Sequence, residues 1–150
     1  MNFSKPNLNI GLIGSGFMGK THVYGFAIAD RVFDLPYKLN LISIADVNSK
    51  VANSAAKKLG FQKSTANWKN LINDKQLDLI SITAPNSLHK DIAIAALKAN
   101  KHVYCEKPLA PTLNDTQEMV EESKRTNKKT QVGFNYLSNP MFSTAKEIIS

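Results

Sequence analysis

The sequence contains a single cysteine among its 150 residues, so it can form no internal disulfide and no cysteine-based metal cluster. No apolar run approaches the roughly 20 residues that a membrane-spanning helix requires. Internal repeats and low-complexity segments are lacking too. Acidic residues are scarcer than basic ones, 12 against 19, which gives a formal charge of +7. The excess is dispersed: among the lysines only Lys57-Lys58 and Lys128-Lys129 are adjacent. Aromatics do not interleave with Lys and Arg as they do in a single-strand binder, so no nucleic-acid partner is expected. The opening residues carry a lysine but no long apolar segment, so no signal peptide is expected and a cytoplasmic location is the default.

What is present reads as an ordinary globular chain, 43% apolar and 21% charged. Its length suits one domain, and a domain of that size buries roughly 68–70% of its unfolded surface. The organising stretch is LNIGLIGSGFMGK, residues 8–20. A short apolar run enters a loop in which Gly14, Gly16 and Gly19 have G-x-G-x-x-G spacing, with Phe17 and Met18 between the last two. Such a loop lets Gly14 turn tightly, opens the backbone at Gly16 to a pyrophosphate, and packs the following helix closely at Gly19. The new helix N-terminus would then present its amides and partial positive charge to the phosphates.

Apolar runs and amphipathic stretches alternate along the rest of the chain. Strands are expected at residues 8–14, 39–45, 61–63, 77–83, 101–106 and 130–134. Helices are expected at 17–29, 49–59, 68–73 and 87–99, then from a cap at Thr112 or Asn114 to about 127, and finally from Pro140 onward. Asn48 suits an N-cap and Gly60 a C-terminal stop. In the 87–99 helix, Ile92, Ala95, Ala96 and Ala99 should face inward. The alternation predicts an α/β fold, a doubly wound parallel sheet of about six strands with right-handed crossovers.

Asp46 ends the second strand, where a carboxylate can accept both ribose hydroxyls of NAD and repel the 2′-phosphate of NADP. It lies 27 residues after Gly19, beyond the usual spacing of about 20, and the loop at 30–38 absorbs the surplus. The alternative is a capping role for the next helix. Ligands of open α/β sheets sit beyond the carboxyl ends of the strands. That rule selects Thr83, Ala84, Pro85 and Asn86 after the fourth strand, Glu106 and Lys107 after the fifth, and Asn135 after the sixth. Pro108 disfavours a helical Lys107 and holds it extended. Its ammonium either enters the crevice, to polarise a substrate oxygen, or pairs on the surface with Glu106 or another carboxylate. His89 opens its helix on the crevice side and can line the cofactor site. His22 reads as a packing or solvent-facing residue, His102 as structural, Cys105 as an inert buried thiol, and Trp68 as a core or helix-anchoring group.

The run DLISITAPNSLHKDIAIAALKANKHVYCEKP, residues 78–108, resembles the Gfo/Idh/MocA oxidoreductases, the relatives of glucose-fructose oxidoreductase and inositol dehydrogenase. NWKNLI at 67–72 and VGFNY at 132–136 match in the same order, and the resemblance extends from Asn7 onward. It implies an NAD(P)-binding Rossmann domain over residues 1–150, with the last helix leading toward a C-terminal α+β domain that is lacking here. It also implies hydride transfer between NAD, less readily NADP, and a sugar, polyol or related hydroxy compound. Lys107 would then be catalytic, orienting the reacting hydroxyl and assisting proton transfer, with no metal. Thr83, Pro85, Asn86, Glu106 and Asn135 would line the cofactor, joined by His89. Leu137 departs from the pattern, since many relatives have arginine there. The family's catalytic aspartate and histidine belong to the second domain, so turnover by these 150 residues alone is not expected, whereas the full-length form should be a homo-oligomer. A non-catalytic dinucleotide-sensing module on the same fold is the alternative.

Overall fold

The computed structural model describes residues 5–149. The first four residues, part of the segment read as lacking a leader, and Ser150 lie outside the described residues. Six strands form one parallel sheet: β1 (Asn7–Ile13), β2 (Lys38–Ala45), β3 (Lys63–Thr65), β4 (Leu79–Ile82), β5 (His102–Cys105) and β6 (Thr130–Val132). Their order is β3-β2-β1-β4-β5-β6, and every pairing is parallel. The order reverses direction between β1 and β4, which opens a crevice at the carboxyl ends of those two strands.

Helices α1 (Phe17–Val32), α2 (Ser49–Leu59), α3 (Trp68–Ile72), α4 (His89–Lys98) and α5 (Leu113–Arg125) pack on the sheet, and α6 (Pro140–Ile149), which buries no residue, follows the turn after β6. Strand alternation divides the core accordingly. Leu12 and Ile44 meet Val23, Ala56 and Phe61 beneath α1 and α2. Ile80, Ile82, Val103 and Cys105 meet Ile92, Ala93, Ala96, Leu97 and Met119 beneath α4 and α5.

Local differences from the sequence reading have physical causes. The third strand begins at Lys63, because Phe61 finishes the end of α2. Gly60 takes the left-handed conformation (φ 81°), and the Gly60 and Phe61 N–H groups both donate to the Ala56 carbonyl, at 2.9 and 3.0 Å. The Phe61 ring then drops into the core as the apolar partner of that cap. Helix α1 runs past Ala29 to Val32. Residues 86–88 form a 3-10 turn before α4, and this turns His89, Ala93 and Leu97 inward beside Ile92 and Ala96, leaving Ala95 and Ala99 only half-buried. Thr112 rather than Asn114 caps α5, accepting from the Asp115 N–H at 3.1 Å. Asn48 caps α2 as expected, and Pro140 takes the first position of α6.

Candidate functional site

The glycine loop is shaped by contacts that a side chain would block. Gly14 has φ 97°, and a Cβ there would lie 2.6 Å from the Thr83 carbonyl oxygen. A Cβ on Gly19 would fall 2.2 Å from the Gly14 carbonyl oxygen. The Thr83 hydroxyl donates to the Gly14 carbonyl at 2.7 Å, with the Ile13 carbonyl at 3.2 Å, and so pins the loop to the end of β4. Gly16 is different: nothing lies within 4 Å of the place its Cβ would occupy. Glycine there serves the open space above it rather than the packing.

That open space faces the start of α1. Its N-cap Gly16 makes no side-chain capping bond, and no acidic residue stands in the first turn. Among the described residues the leading amides, at Phe17, Met18 and Gly19, therefore have no side-chain partner, while they carry the positive end of the helix dipole. An uncapped N-terminus over a vacant Cβ position fits a pyrophosphate.

Asp46 stands beside this loop at the tip of β2. Its Oδ2 accepts from the Ser15 N–H at 2.7 Å and from the Ser15 hydroxyl, and its Oδ1 accepts from the Val47 N–H at 2.7 Å. Partial burial pushes its pKa up, but the Ser15 and Val47 hydrogen bonds together outweigh burial and hold it below the ordinary carboxylate value. Asp46 is thus an anion at neutral pH. Three of its roughly four acceptor positions are filled by the protein. Asp46 and Gly14 also border an apolar slot lined by Val47, Ala66, Trp68, Ala84, Pro85 and Leu88. Sequence reading singled out Ala84 and Pro85 there and gave Trp68 the core-packing role it has beside the slot, but missed Val47 and Leu88. Val47 and Leu88 are exposed apolar groups flanking selected positions, which was the signal available.

Farther along the carboxyl edge, the Lys107-Pro108 bond is cis and Lys107 is exposed. Lys107 borders a recess with Phe134, Asn135, Tyr136 and Leu137. Asn86 begins the 3-10 turn after β4. His89 is buried behind this edge, its Nε2 2.8 Å from the Ala84 carbonyl and its Nδ1 3.1 Å from the Pro108 carbonyl. It ties the loop after β4 to the cis-proline turn.

Glu106 is buried, and neither carboxylate oxygen opens to the crevice. Oε1 lies 3.0 Å from His22 Nε2, and Oε2 accepts from the Lys107 N–H at 3.1 Å. His22 is also buried; its Nδ1 is 2.8 Å from the Ser81 hydroxyl and its ring stacks on Tyr104 at 4.5 Å. Sequence reading left His22 between a packing and a solvent-facing role, of which the structure shows the buried one, and did not register Ser81 at all. Burial, reinforced by the charge of Glu106, raises the Tyr104 hydroxyl and pushes the Cys105 thiol up to about 12, so that Cys105 is unreactive at neutral pH. Among the described residues no group of His, Cys, Asp and Glu has the arrangement of a metal site, and no helix is long and apolar enough to cross a membrane.

The profile of the GFO_IDH_MocA group, described as an oxidoreductase family with an NAD-binding Rossmann fold, matches residues 8–134. Levoglucosan dehydrogenase of Pseudarthrobacter phenanthrenivorans is 42% identical over 147 residues, covering 95% of this chain and 37% of that protein. Inositol 2-dehydrogenase of Salmonella typhimurium is 35% identical over 129 residues, covering 85% of the chain and 37% of that protein. Among solved structures, an NAD-binding oxidoreductase from Klebsiella pneumoniae superposes with a TM-score of 0.89 at 46% identity, over 95% of this chain and 38% of that one. A levoglucosan dehydrogenase complex with NADH and levoglucosan superposes with a TM-score of 0.85 at 43% identity, over 87% and 35%. The chain therefore spans less than two-fifths of the length of these relatives.

Proposed function

The chain belongs to the Gfo/Idh/MocA oxidoreductase family, with its NAD-binding Rossmann fold, and on that premise we propose that it supplies the dinucleotide half of a dehydrogenase acting on a sugar or polyol hydroxyl. Residues 1–150 are the dinucleotide-binding domain, and α6 leads toward a substrate domain. The full-length form is a cytoplasmic homo-oligomer. The observation that carries this reading is the uncapped α1 N-terminus over open Gly16, beside the ionised Asp46.

Bound NAD would supply the hydride-accepting nicotinamide. Gly14, Gly16, Phe17, Met18 and Gly19 would hold the pyrophosphate through backbone amides, with no side chain needed. Asp46 would accept a ribose hydroxyl and oppose a 2′-phosphate. The slot between Val47, Trp68 and Leu88 would enclose the adenine, floored by Ala84 and Pro85. Thr83, Asn86 and Asn135 would border the nicotinamide half, with His89 and Glu106 shaping the edge from behind. Lys107 would present its ammonium to the reacting oxygen, orient it and assist proton transfer.

Titration of the purified chain with NADH and NADPH, followed by nicotinamide fluorescence, tests the reading. Saturable binding with NADH preferred is expected. Preference for NADPH would remove the role given to Asp46 and keep the fold. Binding of neither would overturn the reading for this chain.

A further inference from the structure

Behind Glu106 lies a buried polar cluster whose other members, His22 and Ser81, have no part in the proposed chemistry. Ser81 on β4, His22 on α1 and Glu106 at the end of β5 form a hydrogen-bonded row, Oγ to Nδ1 at 2.8 Å and Nε2 to Oε1 at 3.0 Å. The order of groups is that of a nucleophile, a base and an acid. Ser81, however, is 0% exposed, so no substrate reaches its hydroxyl and hydrolytic chemistry is ruled out for the row. Its far end is what matters. Glu106 Oε2 takes the main-chain N–H of Lys107, the residue that borders the recess at the carboxyl edge.

We propose that His22 is a positioning residue for Lys107, acting through the Glu106 carboxylate. The inference rests on the reading of Lys107 as the group that faces the reacting oxygen. Four elements are shaped around this one carboxylate. Helix α1 supplies the His22 N–H, which must be the donor because a carboxylate only accepts. Strand β4 supplies Ser81, which takes up the other ring nitrogen, and β5 supplies Tyr104, stacked on the ring at an interplanar angle of 11°. The chain after β6 supplies Gly133, where a Cβ would lie only 2.4 Å from Glu106 Oε1. The ring thus has one orientation, the carboxylate has one seat, and the Lys107 backbone inherits both. A carboxylate needed only for packing would be replaced without loss by an apolar group of similar shape. Helix α1 is also the helix whose N-terminus faces the proposed pyrophosphate site, so the row joins the phosphate end of the crevice to its reactive end.

Two substitutions separate positioning from packing. Glutamine places its amide nitrogen about where His Nε2 lies, whereas asparagine reaches only as far as Nδ1. In His22→Gln the bond to Glu106 should survive; in His22→Asn it should be lost while Ser81 keeps a partner. The direct readout is amide hydrogen exchange by NMR at Lys107 N–H. The Glu106 N–H serves as internal control, since it donates to the Ile82 carbonyl at 3.0 Å inside the sheet. The expected result is exchange at Lys107 at least about tenfold faster in His22→Asn, with Glu106 unchanged and His22→Gln close to the parent. Unchanged Lys107 exchange in His22→Asn, or equal acceleration at Glu106, would overturn the proposal and leave His22 a core residue. Amine acylation of the parent chain, with and without NADH, tests the reading beneath it. Protection of Lys107 by NADH supports that reading; its absence would defeat the role of Lys107 and leave the exchange result standing on its own.

Discussion

Gly16 and Gly19 stand three residues apart in one loop, yet they are glycine for opposite reasons. At Gly19 an added methyl collides with the Gly14 carbonyl oxygen; at Gly16 it meets nothing. Gly19→Ala should therefore lower stability by about 1–3 kcal/mol, as overpacked sites do, which thermal unfolding would register. Gly16→Ala should unfold like the parent but bind NADH at least about tenfold more weakly, because the methyl occupies the phosphate's approach. Asp46 makes a second residue-scale case. Removing a charged hydrogen-bond acceptor costs about 1.5–3 kcal/mol, so Asp46→Ala should weaken NADH by roughly ten- to a hundredfold. The same change should leave NADPH no weaker, and fluorescence titration of both nucleotides reads the ratio. The glycine spacing and the acidic strand end were legible in the sequence because each residue type is tied there to backbone geometry or charge. His22 was not legible. A histidine within a helix says nothing of the carboxylate 84 positions away that seats it, and only the fold brings the two together.

At the scale of elements, the alternation of apolar runs with amphipathic stretches sufficed to order strands and helices, since periods of two and 3.6 are sequence properties. Misplacement was confined to ends, where one residue serves two possible neighbours. Phe61 is apolar enough for a strand, but the left-handed Gly60 spends it on the cap of α2. The α3–β4 turn likewise depends on one acid. Asp74 accepts from the Gln76 N–H at 2.9 Å and from Lys63 Nζ at 3.1 Å. The Gln76 bond, opposed by slight burial and assisted by Lys63, holds its pKa below 3.8. A carboxyl lowered on folding binds fewer protons in the native than in the unfolded state. Its stabilisation is thus complete above the unfolded value and is lost as pH falls through the folded one. Stability attributable to Asp74 should hold from neutral pH down to about pH 4 and decline below it. Asp74→Asn should flatten that acid limb, which urea unfolding at a series of pH values would reveal.

Across the whole molecule, the two ends of the sheet differ in finish. The β3 side is closed by α2 and its capped end, whereas beyond β6 the chain leaves apolar side chains in solvent. Leu137 is 74% exposed, Met141 71%, Ile148 78% and Ile149 84%, and the Tyr136 and Phe142 rings contact each other at 5.3 Å. These groups sit on one short stretch, from the turn after β6 through α6, and of them Tyr136 and Leu137 border the recess beside Lys107. An apolar patch of this kind marks an association surface, and in the proposed full-length enzyme a substrate domain would dock there. In the isolated chain the same surface should drive weak self-association. Sedimentation velocity at rising concentration should show the parent moving toward a dimer. Replacing both Ile148 and Ile149 with lysine should hold the chain monomeric while leaving NADH affinity within about twofold, because neither side chain borders the glycine loop or Asp46. A parent that stays monomeric at every concentration would show that the patch is too small or too dispersed to associate. Loss of NADH binding in the double variant would show instead that α6 supports the cofactor crevice from behind.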